Sequence, residues 1–171
     1  MLQRPSVNEY NPYFQRYIDM VPNGDLLALF RDNKEKVIYF FENIPTAMHD
    51  HRYADGKWTT KEVLMHIIDT ERVMAYRAFV AARGDSKTIL HSMDENSYAA
   101  NVDVTNRSLA NIIDEFIAVR NATLTIYDHL TDAQSMFMAK GETHPFTARA
   151  LGYIMIGHTE HHFRILTERY L

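Results

Sequence analysis

The five prolines of this chain stand at positions 5, 12, 22, 45 and 145, all outside its strongly periodic segments. A proline inside a helix removes a backbone donor and clashes with the preceding turn, so this placement leaves long stretches free to run as helix. Four stretches carry apolar residues at helical spacing, and little alternating strand signal accompanies them. The first spans Asp25 to Glu42 (DLLALFRDNKEKVIYFFE), with Gly24 before it and Pro45 after it. The second opens on Trp58-Thr59-Thr60-Lys61-Glu62 and continues to about Ala82, where Arg83-Gly84-Asp85 ends it. Thr59 and Glu62 have capping-box spacing, and Trp58 is placed to staple onto Val63. The third runs from about Ser108 to Leu130, and the fourth from Thr147 or Ala148 to near the C-terminus.

These segments predict an all-α chain, a four-helix bundle forming a single domain over residues 1–171. That length buries a core without staples. The connections 43–58 and 83–107 are long for a simple bundle, and 131–146 has room for a short helical turn; such connections serve as lids or crossovers. Residues 1–24 contain Tyr10, Tyr13, Phe14 and Tyr17, which predicts a segment packed on the bundle. The chain has no cysteine, which excludes disulfides, thiolate metal sites and a cysteine nucleophile. Any metal must be held by His, Asp or Glu. A formal net charge of −4, with no long Lys/Arg run, argues against nucleic acid as a partner. No stretch reaches the roughly 18 consecutive apolar residues of a membrane span, and the opening MLQRPSVNEYNPYF has no apolar run resembling a signal peptide. The expected location is the cytoplasm.

On a wheel of about 100° per residue, the fourth segment gathers Leu151, Ile154, Met155, Ile165 and Leu166 on one face, with His158 and His162 within roughly 20° of its centre. Glu160 points to the far side, and His161 lies roughly 80° away from that centre. Two imidazoles aimed into an apolar core need partners, since unpaired buried polar groups are costly. One turn apart, they can share a ligand. In the second segment the apolar face is Leu64, Ile67, Ile68, Ala75, Ala78 and Phe79. His66 stands opposite, in a stripe with Thr59, Glu62, Asp69, Thr70 and Arg77. That stripe is either a solvated face or, because Val63, Val73 and Val80 share the side, a polar-lined cleft. Other metal architectures fall away: no Glu-x-x-His pair supports a di-iron centre, and His158-Thr-Glu-His-His162 is not His-Glu-x-x-His.

Trp58 to Arg72, with His66, Asp69 and Glu71 in place, resembles the helix-two signature of the DinB superfamily, including its YfiT-like members. So does Ala78-Phe-Val-Ala-Ala-Arg83-Gly84-Asp85. The stretch Ser108-Leu109 through Thr123-Leu124 is similar to that family's third helix, and Ala150 through Gly157-His158-Thr-Glu-His161-His162 to its metal-binding fourth. The resemblance covers nearly the whole chain and implies a four-helix bundle, usually a homodimer, with metal held by His66, His158 and His162. It also implies an activity: members include transferases and isomerases using low-molecular-weight thiols such as bacillithiol or mycothiol, and others are described as metal-dependent hydrolases.

Three neutral imidazoles leave coordination positions open, the mark of a catalytic rather than a structural metal. One divalent ion per chain is expected, zinc or nickel, because imidazole suits both. Asp69 and Glu62, one turn either side of His66, are the candidate catalytic residues, as general base or as orienting partner of an imidazole. Arg77 is a candidate anchor for an anionic substrate or a thiol carboxylate, and Trp58 a candidate lining residue. Glu71, on the apolar side of its helix, calls for an arginine partner across the bundle or a dimer interface. His49, His51, His91, His129 and His144 have no useful mutual spacing and are expected at the surface. The expected function is transfer of a small thiol to a small electrophile. The alternatives are hydrolysis of a small substrate, or a non-catalytic, stress-related role in binding metal or a small molecule.

Overall fold

The computed structural model describes residues 1–171. After two short 3-10 turns, α1 (Gln15–Ile18) leads into α2 (Leu26–Glu42) and α3 (Thr60–Ala82). The crossover that follows carries β1 (Ile89–Leu90) and α4 (Glu95–Asn101) before α5 (Leu109–Tyr127). Then come α6 (Asp132–Ser135), β2 (Met138–Gly141), β3 (Phe146–Thr147) and α7 (Ala148–Arg169). The four long helices α2, α3, α5 and α7 are the four periodic segments of the sequence. Each opens on a side chain that accepts from the backbone three residues on: Asp25, Thr59, Ser108 and Thr147. Such caps satisfy otherwise orphaned amides and locate the helix starts. At Thr59 the capping box is complete, with Glu62 Oε2 accepting from the Thr59 amide at 2.6 Å. Gly84, at φ 70°, ends α3 in a conformation that costs other residues strain.

The mostly helical bundle is the one the periodicity predicts, and its connections add one small element. The connections meet in a small sheet of order β1-β2-β3. β1 runs parallel to β2, pairing Ile89 with Lys140, and β2 is antiparallel to β3, pairing Ala139 with Phe146. Strands of two to four residues carry too little alternation to be read locally. The third periodic segment also stops at Tyr127 rather than Leu130.

Contacts between the helices fix their directions. Phe30 packs on Tyr127 and Phe41 on Phe163, while Trp58 meets Tyr170 and Arg72 meets Glu115. Thus α2 and α7 run one way, and α3 and α5 the other. Because α3 and α5 are parallel, residues 83–108 must travel back along the bundle, which accounts for their length. The core divides into two apolar clusters, one around Leu26, Phe30, Leu151 and Ile154, the other around Phe41, Leu64, Phe116 and Leu166. Every long helix passes from one cluster to the other through a polar layer: Asn33, then His66 to Glu71, then Arg120, then His158 to His162. On one side of that layer Arg120, with its side chain fully buried, forms a two-pronged ion pair with Glu71, 2.8 Å on each arm, and reaches Asn33 Oδ1 at 2.8 Å. This is the arginine across the bundle that Glu71 required.

The N-terminal segment is docked on α7. Glu9, itself buried, accepts from Thr147 and Arg149 at the start of that helix. Farther along, Gly157 lies against the Tyr17 backbone so closely that a Cβ there would sit 1.9 Å from the Tyr17 carbonyl oxygen. No helix of the chain is long and apolar enough to cross a membrane.

Candidate metal centre

On the other side of the polar layer, α3 supplies His66 and α7 supplies His158 and His162. Antiparallel packing sets residue 66 beside the middle of α7, and the i,i+4 spacing of the pair aims both its rings at the same point. His66 Nε2 lies 3.0 Å from His158 Nε2, and His162 Nε2 lies 3.0 Å from the same atom. All three side chains are buried, and their candidate ligand atoms fall within 4.8 Å of one another. The ambiguity over the His66 stripe is thereby resolved: α3 is enclosed on nearly all sides, and the stripe faces a cleft rather than open solvent.

Burial holds these imidazoles neutral. It drives His66 down to about 4, with a smaller push from His161. Burial also takes His158 and His162 well below the ordinary range, aided by repulsion from the neighbouring histidines. Neutral imidazoles are the form that ligates metal. Protons alone cannot satisfy the cluster. A proton on one Nε2 serves one neighbour, and the other close pair then opposes two lone pairs or directs two donors at one lone pair. A divalent cation accepts all three lone pairs together, so the donor set fits such an ion.

The surroundings restrain the rings. Trp58 packs on His66 with centroids 4.6 Å apart and the rings tilted by 36°, and Tyr17 meets His158 edge-on at 5.5 Å. His161 is half-buried and lies against Tyr17, outside the convergent set. A cavity of about 430 Å³ reaches the centre at His158. Thr70, Arg77 and Tyr17 line it, together with Ser92 and Glu142 from the connections. Arg77 is buried and donates to the His91 carbonyl and, at 3.6 Å, to the Met74 sulfur. Burial lowers its affinity for its proton, and the charge of Glu142 on the cavity rim works against that shift.

The two candidate carboxylates do not hydrogen-bond to an imidazole. Glu62 gives its oxygens to the Thr59 amide and, at 3.1 Å, to Arg52. Asp69 pairs with Arg72 at 3.3 Å, and burial raises its carboxyl above the usual range. His49, His51, His91, His129 and His144 are exposed or half-buried and belong to no convergent group. Tyr153 and Met155 are buried packing, with the Tyr153 hydroxyl on the Gly24 carbonyl. Sequence reasoning did not place Tyr17, Ser92 or Glu142 at the site. Their segments carry no periodic signal, and only the docking of the N-terminal segment and the crossover brings them there.

The solved structure of YfiT from Bacillus subtilis, described as a probable metal-dependent hydrolase with an unusual four-helix bundle topology, is similar to this fold. Its TM-score is 0.73 at 16% identity, covering 98% of this chain and 91% of that chain. No functionally curated protein matches the sequence. The DinB superfamily profile matches residues 29–166, a span that runs from α2 to near the end of α7 and includes all three histidines. The chain belongs to the DinB superfamily.

Proposed function

We propose that the protein is a metal-dependent enzyme that transfers a low-molecular-weight thiol to a small electrophile, with one zinc or nickel ion per chain held by His66, His158 and His162. The observation that carries this reading is the convergence of three buried, neutral Nε2 atoms beside an accessible cavity. When bound, a divalent ion at such a site lowers the pKa of a thiol or water and polarises an electrophile. The chain's own residues supply the rest. Trp58 and Tyr17 hold the His66 and His158 rings and keep bulk water from two sides of the centre. Arg77 offers a buried cation to an anionic group of the substrate. Asp69 and Glu62 are the candidate acceptors of the thiol proton; Asp69 is paired with Arg72 and Glu62 with the helix cap, so either must exchange that partner to act.

Hydrolysis with water as nucleophile is the second reading, favoured by the description attached to YfiT, which shares the fold. The homodimer usual in the family belongs to the same proposal, and sedimentation tests it. Metal analysis of purified protein, followed by thiol-consumption and ester-hydrolysis screens with and without chelator, decides among the readings. The expected result is near-stoichiometric metal, lost in His66→Ala and His162→Ala but kept in His161→Ala, and chelator-sensitive thiol consumption. Chelator-sensitive ester cleavage without thiol consumption would favour the hydrolase. Metal without turnover in either screen would mean a binding protein. Full metal content in His66→Ala and His162→Ala would refute the centre.

A further inference from the structure

We propose that the cavity bordered by His158 binds a small organic amine as its ammonium ion, with the cation at the carboxylates of Asp94 and Glu95 and a second polar group of the ligand at the Thr70 hydroxyl. Such binding depends only on the lining of that cavity, of about 430 Å³, and stands with or without metal at the histidines. Three carboxylates, those of Asp94, Glu95 and Glu142, border it against a single guanidinium, Arg77. Burial opposes the charge on Arg77 and Glu142 supports it. These two offset each other, and Asp94 and Glu95 remain as net negative charge. The chain's ion pairs include neither of them.

Hydrogen bonds gather these carboxylates at one rim. Glu142, just after β2, accepts from the Ser92 amide at 3.0 Å and hydroxyl at 2.8 Å, and with His91 these contacts hold its carboxyl down at about 2. Ser92 stands two residues before Asp94, so the acid after β2 is fixed beside the two acids of the crossover. Asp94 gives one oxygen to the Ser97 amide as the cap of α4, and Glu95, exposed, begins that helix. Like charges held together repel, and a cation relieves that repulsion. A metal ion is the poorer match, because only the three histidines bring ligand atoms within 4.8 Å of one another. An ammonium ion needs no such convergence, since its three N–H groups can reach separate acceptors.

The rest of the lining suits the organic part of such a ligand. Tyr13, Phe14, Tyr17 and Phe146 supply ring surface. Arg16, which is not part of the lining, already lies over the Tyr13 ring at 3.8 Å and the Tyr17 ring at 4.9 Å, so rings of this wall receive a cation in the molecule itself. At the buried end of the cavity Thr70, one helical turn beyond His66, is 7% exposed, and its hydroxyl has no hydrogen-bond partner in the molecule. A buried polar group left unpaired is costly, which calls for a polar group of the ligand at that point. An amine with a hydroxyl on the same skeleton meets both requirements.

Probes of one skeleton separate charge from shape: tyramine, 4-hydroxyphenylethanol and 4-hydroxyphenylacetate, each followed by calorimetry on the protein as purified and after chelation. Tyramine should bind saturably and at least about fivefold more tightly than the alcohol, the scale of two exposed charge contacts, with the acid weakest. Asp94→Asn combined with Glu95→Gln keeps a capping side chain before α4. It should bring tyramine to the affinity of the alcohol and leave the alcohol unchanged. Thr70→Val should weaken tyramine, with Thr70→Ser restoring it, and should leave phenethylamine, which lacks the phenol, unaffected. Equal affinity for tyramine and the alcohol would overturn the proposal, as would amine selectivity that survives the double substitution or no saturable binding of tyramine. Purified protein without metal would sink the enzyme reading above and still leave the amine result readable.

Discussion

Acid should destabilise the metal-free protein through His66 in particular. Burial holds that imidazole at about 4, against about 6.5 in an unfolded chain. Between those values the unfolded chain binds a proton that the folded chain refuses, so this contribution is intact above about pH 6.5 and disappears as pH falls toward 4. The gap of roughly 2.5 pH units, at about 1.4 kcal/mol each, amounts to about 3 kcal/mol. For a domain of this size that corresponds to a Tm decrease of roughly 6–12 °C. The measurement compares chelator-treated wild type and His66→Leu by thermal denaturation at about pH 7.5 and about pH 4.5. Other groups titrate in both proteins, so the quantity of interest is the difference: between these two pH values His66→Leu should lose less stability by about 2.5 kcal/mol, the rest of the gap being lost only below the folded value of about 4. His158 and His162 shift in the same direction and should remain acid-sensitive in the variant. A second readout is the proton count on metal uptake. Three ordinary histidines would release about two protons at pH 6, whereas this centre should release almost none. Equal acid sensitivity in the two proteins, or release of two protons at pH 6, would refute the account of buried neutral imidazoles.

Arg120→Leu leaves the Glu71 carboxylate buried without its partner and should cost about 3–5 kcal/mol, while Glu71→Leu combined with Arg120→Leu should recover most of it; denaturant titration of the three variants measures both. Gly157→Ala drives a methyl into the Tyr17 backbone and should cost about 1–3 kcal/mol, with α1 released from α7 and residues 1–24 newly open to limited proteolysis. Thr147→Ala removes both the α7 cap and a donor to Glu9 and should lower stability by about 1–2 kcal/mol, read as a fall in Tm with metal content unchanged.

Much of this protein is local in its origin. Proline placement, helical periodicity and the Thr59–Glu62 spacing suffice for the four long helices, because caps and amphipathic stripes are properties of a few neighbouring residues. The two histidines on the α7 core face follow from the same periodicity. His66 was different. Its stripe is polar, and a wheel distinguishes faces of one helix without revealing what packs against them. Enclosure of that stripe by α7 and by the crossover decides that it lines a cleft. Asp69 and Glu62 also share its side of the wheel, yet their carboxylates turn to Arg72 and Arg52, a choice of rotamer and partner that no spacing contains.

By itself, then, the sequence determined the helices, their boundaries to within a few residues, the absence of any thiol ligand and the inward direction of His158 and His162. The tertiary structure alone decided the parallel course of α3 and α5, the small sheet and the convergence of three Nε2 atoms on one point. The physical reason is range. Helix formation is settled by contacts three and four residues apart, whereas the centre is assembled from residues that only packing brings together, 92 positions apart in the case of His66 and His158.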